Sequence, residues 1–249
     1  MSKPVCLDLF CKAGGCTYGY QQAGFYVIGV DIEPQPNYCG DGFLQSDALD
    51  VLARLIAGEE ILFSDGVSYT LADIALIAAS PPCQGYSEST PMAYRDNHPR
   101  MIPQVREALQ LTGKPYVIEN VENARRHLIN PLMLCGSMFG LQVWRHRYFE
   151  IWPERAWLTP PCNHSQEPVT LVHAGSNSRA KRRRLPVLIT GTTRRNEAHG
   201  GRVEYSAQEC RDASGLFWMT RKEMDEAIPP AYTEFIGREL LESVLCKSS

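Results

Sequence analysis

Four short apolar runs constrain this chain more than any other feature: Val5–Phe10, Phe25–Val30, Ile74–Ala79 and Tyr116–Ile118. Each is too short for a stable helix and too uniformly apolar for a half-exposed strand. Each therefore reads as a strand buried on both faces. Between them lie segments with helical spacing, Cys16–Ala23, Ala48–Ala57 and Pro103–Leu111, the first two stopped by Gly24 and Gly58. Strands alternating with helices predict crossover connections and a mostly parallel sheet. The expected fold class is α/β, a doubly wound, mostly parallel sheet. A chain of 249 residues holds one such domain and a small insert.

Composition removes several other classes. At 44% apolar and 21% charged residues the chain is an ordinary globular sequence, neither disordered nor fibrous. Its longest apolar run, the six residues Ile74–Ala79, is far below the roughly 20 that a bilayer-spanning helix requires, so no membrane association is expected. The first ten residues lack the order of an export signal, and a cytoplasmic location is expected. The nine cysteines are odd in number and contain no CxxC pair, so they read as reduced thiols rather than a disulfide framework. Cys162-x-His164 offers two metal ligands where a closed zinc site needs four, and no metal is expected.

The charge is unevenly placed. The net charge of −3 hides a segment, 151–224, with 12 Lys/Arg against 7 Asp/Glu. Its centre carries Lys181, Arg182, Arg183, Arg184, Arg194 and Arg195, which suit a phosphate backbone. The organisation expected is a catalytic and cofactor-binding part over 1–152 and a small loop- and β-rich part over 153–224. A C-terminal helix over 225–249 then returns to the first part.

The polar residues at the strand ends matter most, because ligands of open α/β sheets bind there. Asp31 follows the second strand, Cys83 the third and Glu119 the fourth, so an acid, a thiol and a second acid are expected on one rim. Phe10 through Gly15, with Gly14 and Gly15 adjacent, forms a strand–turn–helix whose glycines let backbone approach a cofactor. Pro81 and Pro82 fix the backbone before Cys83, a position suited to a reactive thiolate. In Trp144–Phe149, strand alternation would put Arg145 and Arg147 on one face. Singly, these features also suit a plain strand–turn–helix, an inert cysteine, a helix-capping acid and a solvated strand face.

Their order discriminates. Glycine turn, acid, Pro-Pro-Cys-Gln, Glu-Asn-Val and Arg-x-Arg, over about 5–152 and again near 217–241, resembles the DNA (cytosine-5)-methyltransferases. The wording of Gly29–Tyr38 and Ala227–Thr233 is similar to the short members found in actinobacteria and their phages. The resemblance implies methyl transfer from S-adenosyl-L-methionine to C5 of a flipped-out cytosine in duplex DNA, by a monomer with no obligate protein partner. It implies that Phe10, Gly14, Gly15, Asp31, Ile32, Asp47 and Pro82 hold the cofactor. Cys83 is then the nucleophile, Glu119 holds cytosine N3 and N4, and Arg145 and Arg147 sit near the base and its phosphate. Residues 84–98 match a loop that closes over DNA, bringing Gln84, Ser87 and Ser89 to it. Three departures stand out: Lys12 replaces the commonest glycine, Asp225-Glu226 replaces Gly-Asn, and the insert is short. RNA cytosine-5 methylation and a catalytically silent DNA-binding relative remain as alternatives. The absent GxGxxG argues against a dinucleotide-dependent oxidoreductase.

Overall fold

The computed structural model describes residues 3–86, 98–164 and 206–245. The first half runs β1 (Val5–Leu9), α1 (Gly15–Ala23), β2 (Tyr26–Asp31), β3 (Gly42–Gln45) and α2 (Ala48–Ile56). A two-stranded ribbon, β4 (Ile61–Leu62) with β5 (Ser68–Tyr69), leads to β6 (Ile74–Ala79), α3 (Ile102–Thr112) and β7 (Tyr116–Asn120). Two further strands follow, β8 (Leu132–Leu134) and β9 (Arg147–Trp152). The described residues end with α4 (Ala207–Ser214), α5 (Arg221–Glu226) and α6 (Pro230–Leu245).

The main sheet has the order β3-β2-β1-β6-β7-β9-β8. Strands β3 to β7 in that order are parallel, and β9 pairs antiparallel with both β7 and β8. The chain winds outward from β1 to β3, then crosses back to β6 on the other side of β1. The doubly wound, mostly parallel α/β fold expected from the apolar runs is the fold observed.

Alternate residues of each strand feed two cores. Leu7, Leu9, Ile28, Val30 and Ile77 meet Val51, Leu52 and Leu55 of α2 and Val105 and Leu109 of α3. Their neighbours Cys6, Val27, Leu76, Ala78 and Val117 meet Tyr20 and Ala23 of α1 and Tyr232, Ile236 and Leu240 of α6. This double burial explains the unbroken apolar runs. At the antiparallel edge, Arg106 of α3 grips buried Glu150 of β9 with Nε and Nη2 at 2.7 and 2.6 Å. The Ile129 amide adds a third bond, so this buried charge is satisfied.

One expectation is corrected. Glu119 and Asn120 belong to β7 itself, because β9 pairs with them through Phe149 and Tyr148 and prolongs the strand. Within 153–224 the described residues also include the helix α4. A Ser206/Glu209 capping box starts that helix, and it buries Cys210 and Ala213, three apart, beneath Ala13. The strand-like runs at 169–172 and 187–189 lie outside the described residues.

The seam between α1 and α6 is tight. Thr233 Oγ1 donates to the Cys16 carbonyl at 2.8 Å, and Gly19 lies against Thr233 and the Pro230 carbonyl. A Cβ at Gly19 would overlap both, and a backbone carbonyl cannot swing aside. Gly19→Ala is expected to lower unfolding stability by about 2 kcal/mol or more, read by urea denaturation. An unchanged midpoint would show that the seam can open.

Candidate active site

The crossing-back between β1 and β6 opens a crevice at the C-terminal ends of the strands, as it does in open α/β sheets. A cavity of about 810 Å³ lies there, lined among others by Phe10, Asp31, Asp47, Cys83, Glu119 and Arg147. The three strand-end residues expected on one rim, Asp31, Cys83 and Glu119, thus share one cleft. Ile32, Pro82, Gln84, Gly15 and Arg145 also line it.

One end of the cleft is built from the turn after β1 and the end of β2. Phe10 and Lys12 both adopt left-handed backbone, φ 59° and 48°, and Gly14 follows at φ 91°. Left-handed geometry explains why glycine suits position 12 and what lysine must do there instead. Its amide donates to Asp31 Oδ2 at 3.0 Å, and its ammonium pairs with Glu33 at 3.1 Å. The Glu33 amide bonds Asp31 Oδ1, so the Asp31 carboxylate is held from both sides. Ile32 beside it is 66% exposed, an apolar face left in the open. Asp47 caps α2 through Oδ1 alone, accepting from the Leu49 and Asp50 amides, and Oδ2 takes no part in the cap. Gly14 lies deeper. It serves the turn by admitting Cys39 Sγ, which a Cβ would meet at 2.7 Å.

The other end holds Cys83, Glu119 and Arg147. After β6, Ser80-Pro81-Pro82 carries the chain to Cys83, which is half-buried. Asn120 Nδ2 donates to the Pro81 carbonyl at 2.9 Å and ties this loop to β7, next to Glu119. Sequence reasoning missed that role, although Asn120 stands inside the Glu-Asn-Val signature. Burial and the Glu119 carboxylate push the Cys83 thiol above its usual range, and Arg147 pulls it back. Glu119 is 7% exposed, and its carboxyl is also raised, by burial, against the pull of Arg147 and Arg145. Arg147 Nε lies 3.1 Å from Glu119 Oε1. The N–H is not directed at that oxygen, and Oε1 is buried without a hydrogen bond. Glu119 is thus a buried carboxyl in the cleft wall, held beside a guanidinium and shifted by its burial.

Both arginines line the cleft, but their settings differ. Only Arg147 is within β9, whereas Arg145 precedes the strand, is 8% exposed and donates to the Asp225 carbonyl at 2.8 Å. Tyr232 of α6 donates to the Arg145 carbonyl at 2.7 Å. Arg145 therefore ties the Asp225–Ile228 wall to the sheet while it lines the cleft beside Arg147. Asp225 and Glu226, in place of Gly-Asn, both line the cleft, and Asp225 is held by Arg221 at 2.6 Å.

Other expected residues are not placed. Ser87, Ser89, Lys181, Arg182, Arg183, Arg184, Arg194 and Arg195 lie outside the described residues. The count of metal ligands does change. Cys135 and His146 come to the same point as Cys162 and His164, making four donors where the sequence showed two.

Comparisons with known proteins agree with this geometry. The model of the C-5 cytosine-specific DNA methylases matches residues 5–130. The type II methyltransferase M.XorII of Xanthomonas oryzae is 30% identical over 154 residues, 60% of this chain and 31% of that protein. M1.HphI of Haemophilus parahaemolyticus is 26% identical over 128 residues, 49% of this chain and 33% of that one. The matched region thus spans about a third of these relatives. Among solved structures, a prophage-encoded E. coli protein superposes with TM-score 0.57 at 14% identity, covering 97% of this chain and 99% of that one. Dnmt2 of S. pombe gives 0.53 at 12% identity, over 97% and 99%. The match over half of the sequence, on the strands that carry Asp31, Cys83 and Glu119, places the chain in the C-5 cytosine-specific DNA methylase family.

Proposed function

We propose that this chain transfers a methyl group from S-adenosyl-L-methionine to C5 of cytosine in duplex DNA, with Cys83 as covalent nucleophile. The observation that carries the reading is the meeting of Cys83, Glu119 and Arg147 at one end of a single cleft whose other end is built from Asp31, Ile32 and Asp47. The donor set of that second end fits the cofactor. A doubly anchored carboxylate suits two ribose hydroxyls, an exposed isoleucine suits an adenine face, and Asp47 Oδ2 suits an exocyclic amine. Bound there, S-adenosylmethionine supplies an electrophilic methyl group on a sulfonium.

The chain's own residues do the rest. Cytosine C5 is a poor nucleophile. The Cys83 thiolate adds to C6, and the electron pair of the C5–C6 bond becomes available at C5. Glu119, whose carboxyl burial raises, donates to cytosine N3 in its protonated form and spreads the charge that the addition pushes into the ring. Arg147 holds Glu119 in place and lowers the cost of the thiolate beside it. After methylation a solvent water takes the C5 proton, the C5–H electron pair re-forms the C5–C6 double bond, the C6–S bond breaks and Cys83 leaves as thiolate. C6 of a stacked base cannot reach a thiol at the bottom of this cleft, so the target base turns out of the duplex. Residues 153–224 carry target recognition in this reading, with the basic run 181–195 on the phosphates. The wording of Gly29–Tyr38 supports the narrower reading of a short member of the actinobacterial and phage type, acting in the cytoplasm.

Labelled S-adenosylmethionine with unmethylated duplex DNA, followed by bisulfite sequencing, tests this directly. Wild type is expected to label DNA at cytosines in one short context, and Cys83→Ala to label none. Label on structured RNA alone, or none at all with cofactor binding intact, would overturn the proposal.

The pH dependence carries a sign. The reaction needs Cys83 ionised and Glu119 protonated, so kcat/KM is expected to be bell-shaped. Above the thiol's raised pKa, no more thiolate forms while Glu119 goes on losing its proton, and the rate falls. Glu119→Gln cannot lose that proton. It is expected to lower the maximal rate about 100-fold or more and to abolish the descending limb, leaving a rise to a plateau. A descending limb that survives in Glu119→Gln would assign it to another group.

A further inference from the structure

Cys135, His146, Cys162 and His164 place one ligand atom each within 4.8 Å of all the others. Their convergence is built by the fold. Strands β8 and β9 pair Leu134 with Arg147 as the last step of their ladder, so Cys135 and His146 face each other one step further on. Cys162 and His164, two apart, come from the segment that follows β9 and returns over this edge. His164 Nε2 lies 3.2 Å from Cys135 Sγ and 3.3 Å from Cys162 Sγ. His146 Nε2 lies 3.5 Å from Cys162 Sγ.

These spacings suit the edges of a tetrahedron around zinc. Metal–sulfur and metal–nitrogen bonds of about 2.3 and 2.0–2.1 Å require sulfur and nitrogen ligands roughly 3.5 Å apart. The donor chemistry selects the metal as well. Two thiolates and two imidazoles form a borderline-soft set that balances a divalent charge, and it favours zinc over the hard, oxygen-seeking cations. The surroundings match what such ligands need beyond the first contact. Ser137 Oγ donates to both sulfurs, at 3.3 and 3.5 Å. The Glu122 carboxylate stands 4.0 Å from His146 Nδ1, the ring nitrogen turned away from the cluster. Trp144 stacks on His164 with ring centroids 4.3 Å apart and an interplanar angle of 6°, fixing that ring.

We propose that these four residues bind one zinc ion as a structural clamp. It closes the segment 153–164, the first residues of the insert, onto the β8–β9 edge. It also fixes His146, which sits between Arg145 and Arg147 and lines the catalytic cleft. The ion thus ties the base of the DNA-facing insert to the strand that presents Arg147. The site has no open coordination position and takes no part in methyl transfer. The metal assignment stands on this geometry alone and does not depend on the reaction proposed above.

The test uses the full chain, expressed without a metal-affinity tag in zinc-supplemented medium. Elemental analysis is expected to find about one zinc per chain, with Cys162→Ser and His164→Ala each reducing it at least tenfold and Cys39→Ser leaving it unchanged. Because the variants could fail to fold, wild type alone supplies a second reading. Zinc removed with a chelator and replaced by cobalt(II) should give the intense visible absorption of a tetrahedral site and the charge-transfer band of thiolate ligands. Three results would overturn the proposal. They are zinc-free wild type that takes up cobalt only with a weak octahedral spectrum, a Cys135–Cys162 disulfide in peptide mass spectrometry, and a zinc content that Cys162→Ser leaves unchanged.

Discussion

A parallel sheet covered by helices on both faces leaves charge only one place to go, and this molecule follows from that constraint. The strands consist of residues such as Leu7, Leu9, Leu76 and Ile77, all fully buried, and neither face can hold an unpaired polar group without a cost of several kcal/mol. Polar residues therefore collect where strands end. The one crossing-back in strand order, between β1 and β6, separates the loops that follow those ends and leaves a crevice. Asp31, Cys83 and Glu119 meet there because they stand at or just beyond the ends of β2, β6 and β7, strands that lie within a few positions of one another.

The cleft concentrates unfavourable electrostatics that the rest of the fold avoids. Asp8, buried in β1 beneath the cleft, has its carboxyl pushed up to about 7 by desolvation, with Asp31 and Glu119 adding to the push and the Thr17 hydroxyl opposing it. The Cys83 thiol and the Glu119 carboxyl are raised in the same way. Arg147 and Arg145 oppose that rise. Arg145 is itself pulled down by burial and by Arg147 beside it. A cleft with several strained titrations is costly for stability and useful for chemistry, because a thiol and an acid with shifted pKa values can exchange roles with a substrate. The scaffold that tolerates this is rigid. Asn120 pins the Pro81 carbonyl, the Lys12 amide pins Asp31, and Arg145 pins the wall at Asp225.

The antiparallel edge solves a different problem. Strands β8 and β9 close one end of the sheet, and they carry Arg147 at the start of β9. Arg106 and Glu150 hold β9 from inside the sheet, while the Cys135–His146–Cys162–His164 cluster gathers its outer end. With zinc in that cluster, the two fastenings bracket the strand that carries Arg147.

Much of this was legible in the sequence, and the reason is periodicity. Buried parallel strands need unbroken apolar runs, so Val5–Leu9 and Ile74–Ala79 announced themselves, and with them the residues at their ends. The order of glycine turn, acid, Pro-Pro-Cys and Glu-Asn-Val then pointed to the reaction, since each is a local pattern on consecutive residues. What sequence could not reach was anything made between distant segments. Arg145 looked equivalent to Arg147 until Asp225, 80 residues away, took its guanidinium. Helix α4 was hidden because its apolar face is brief, and Cys210 and Ala213 join a cluster drawn from distant segments, Ala13, Val143 and Met219 among them. Cys162 and His164 showed two ligands because Cys135 and His146 are brought to them only by the β8–β9 register. The sequence by itself determined the layered sheet and the residues at its strand ends, because those depend on neighbours along the chain. The tertiary structure alone decided which of them share a cleft, which arginine is a fastening and which four side chains converge, because those depend on contacts that no spacing along the chain encodes.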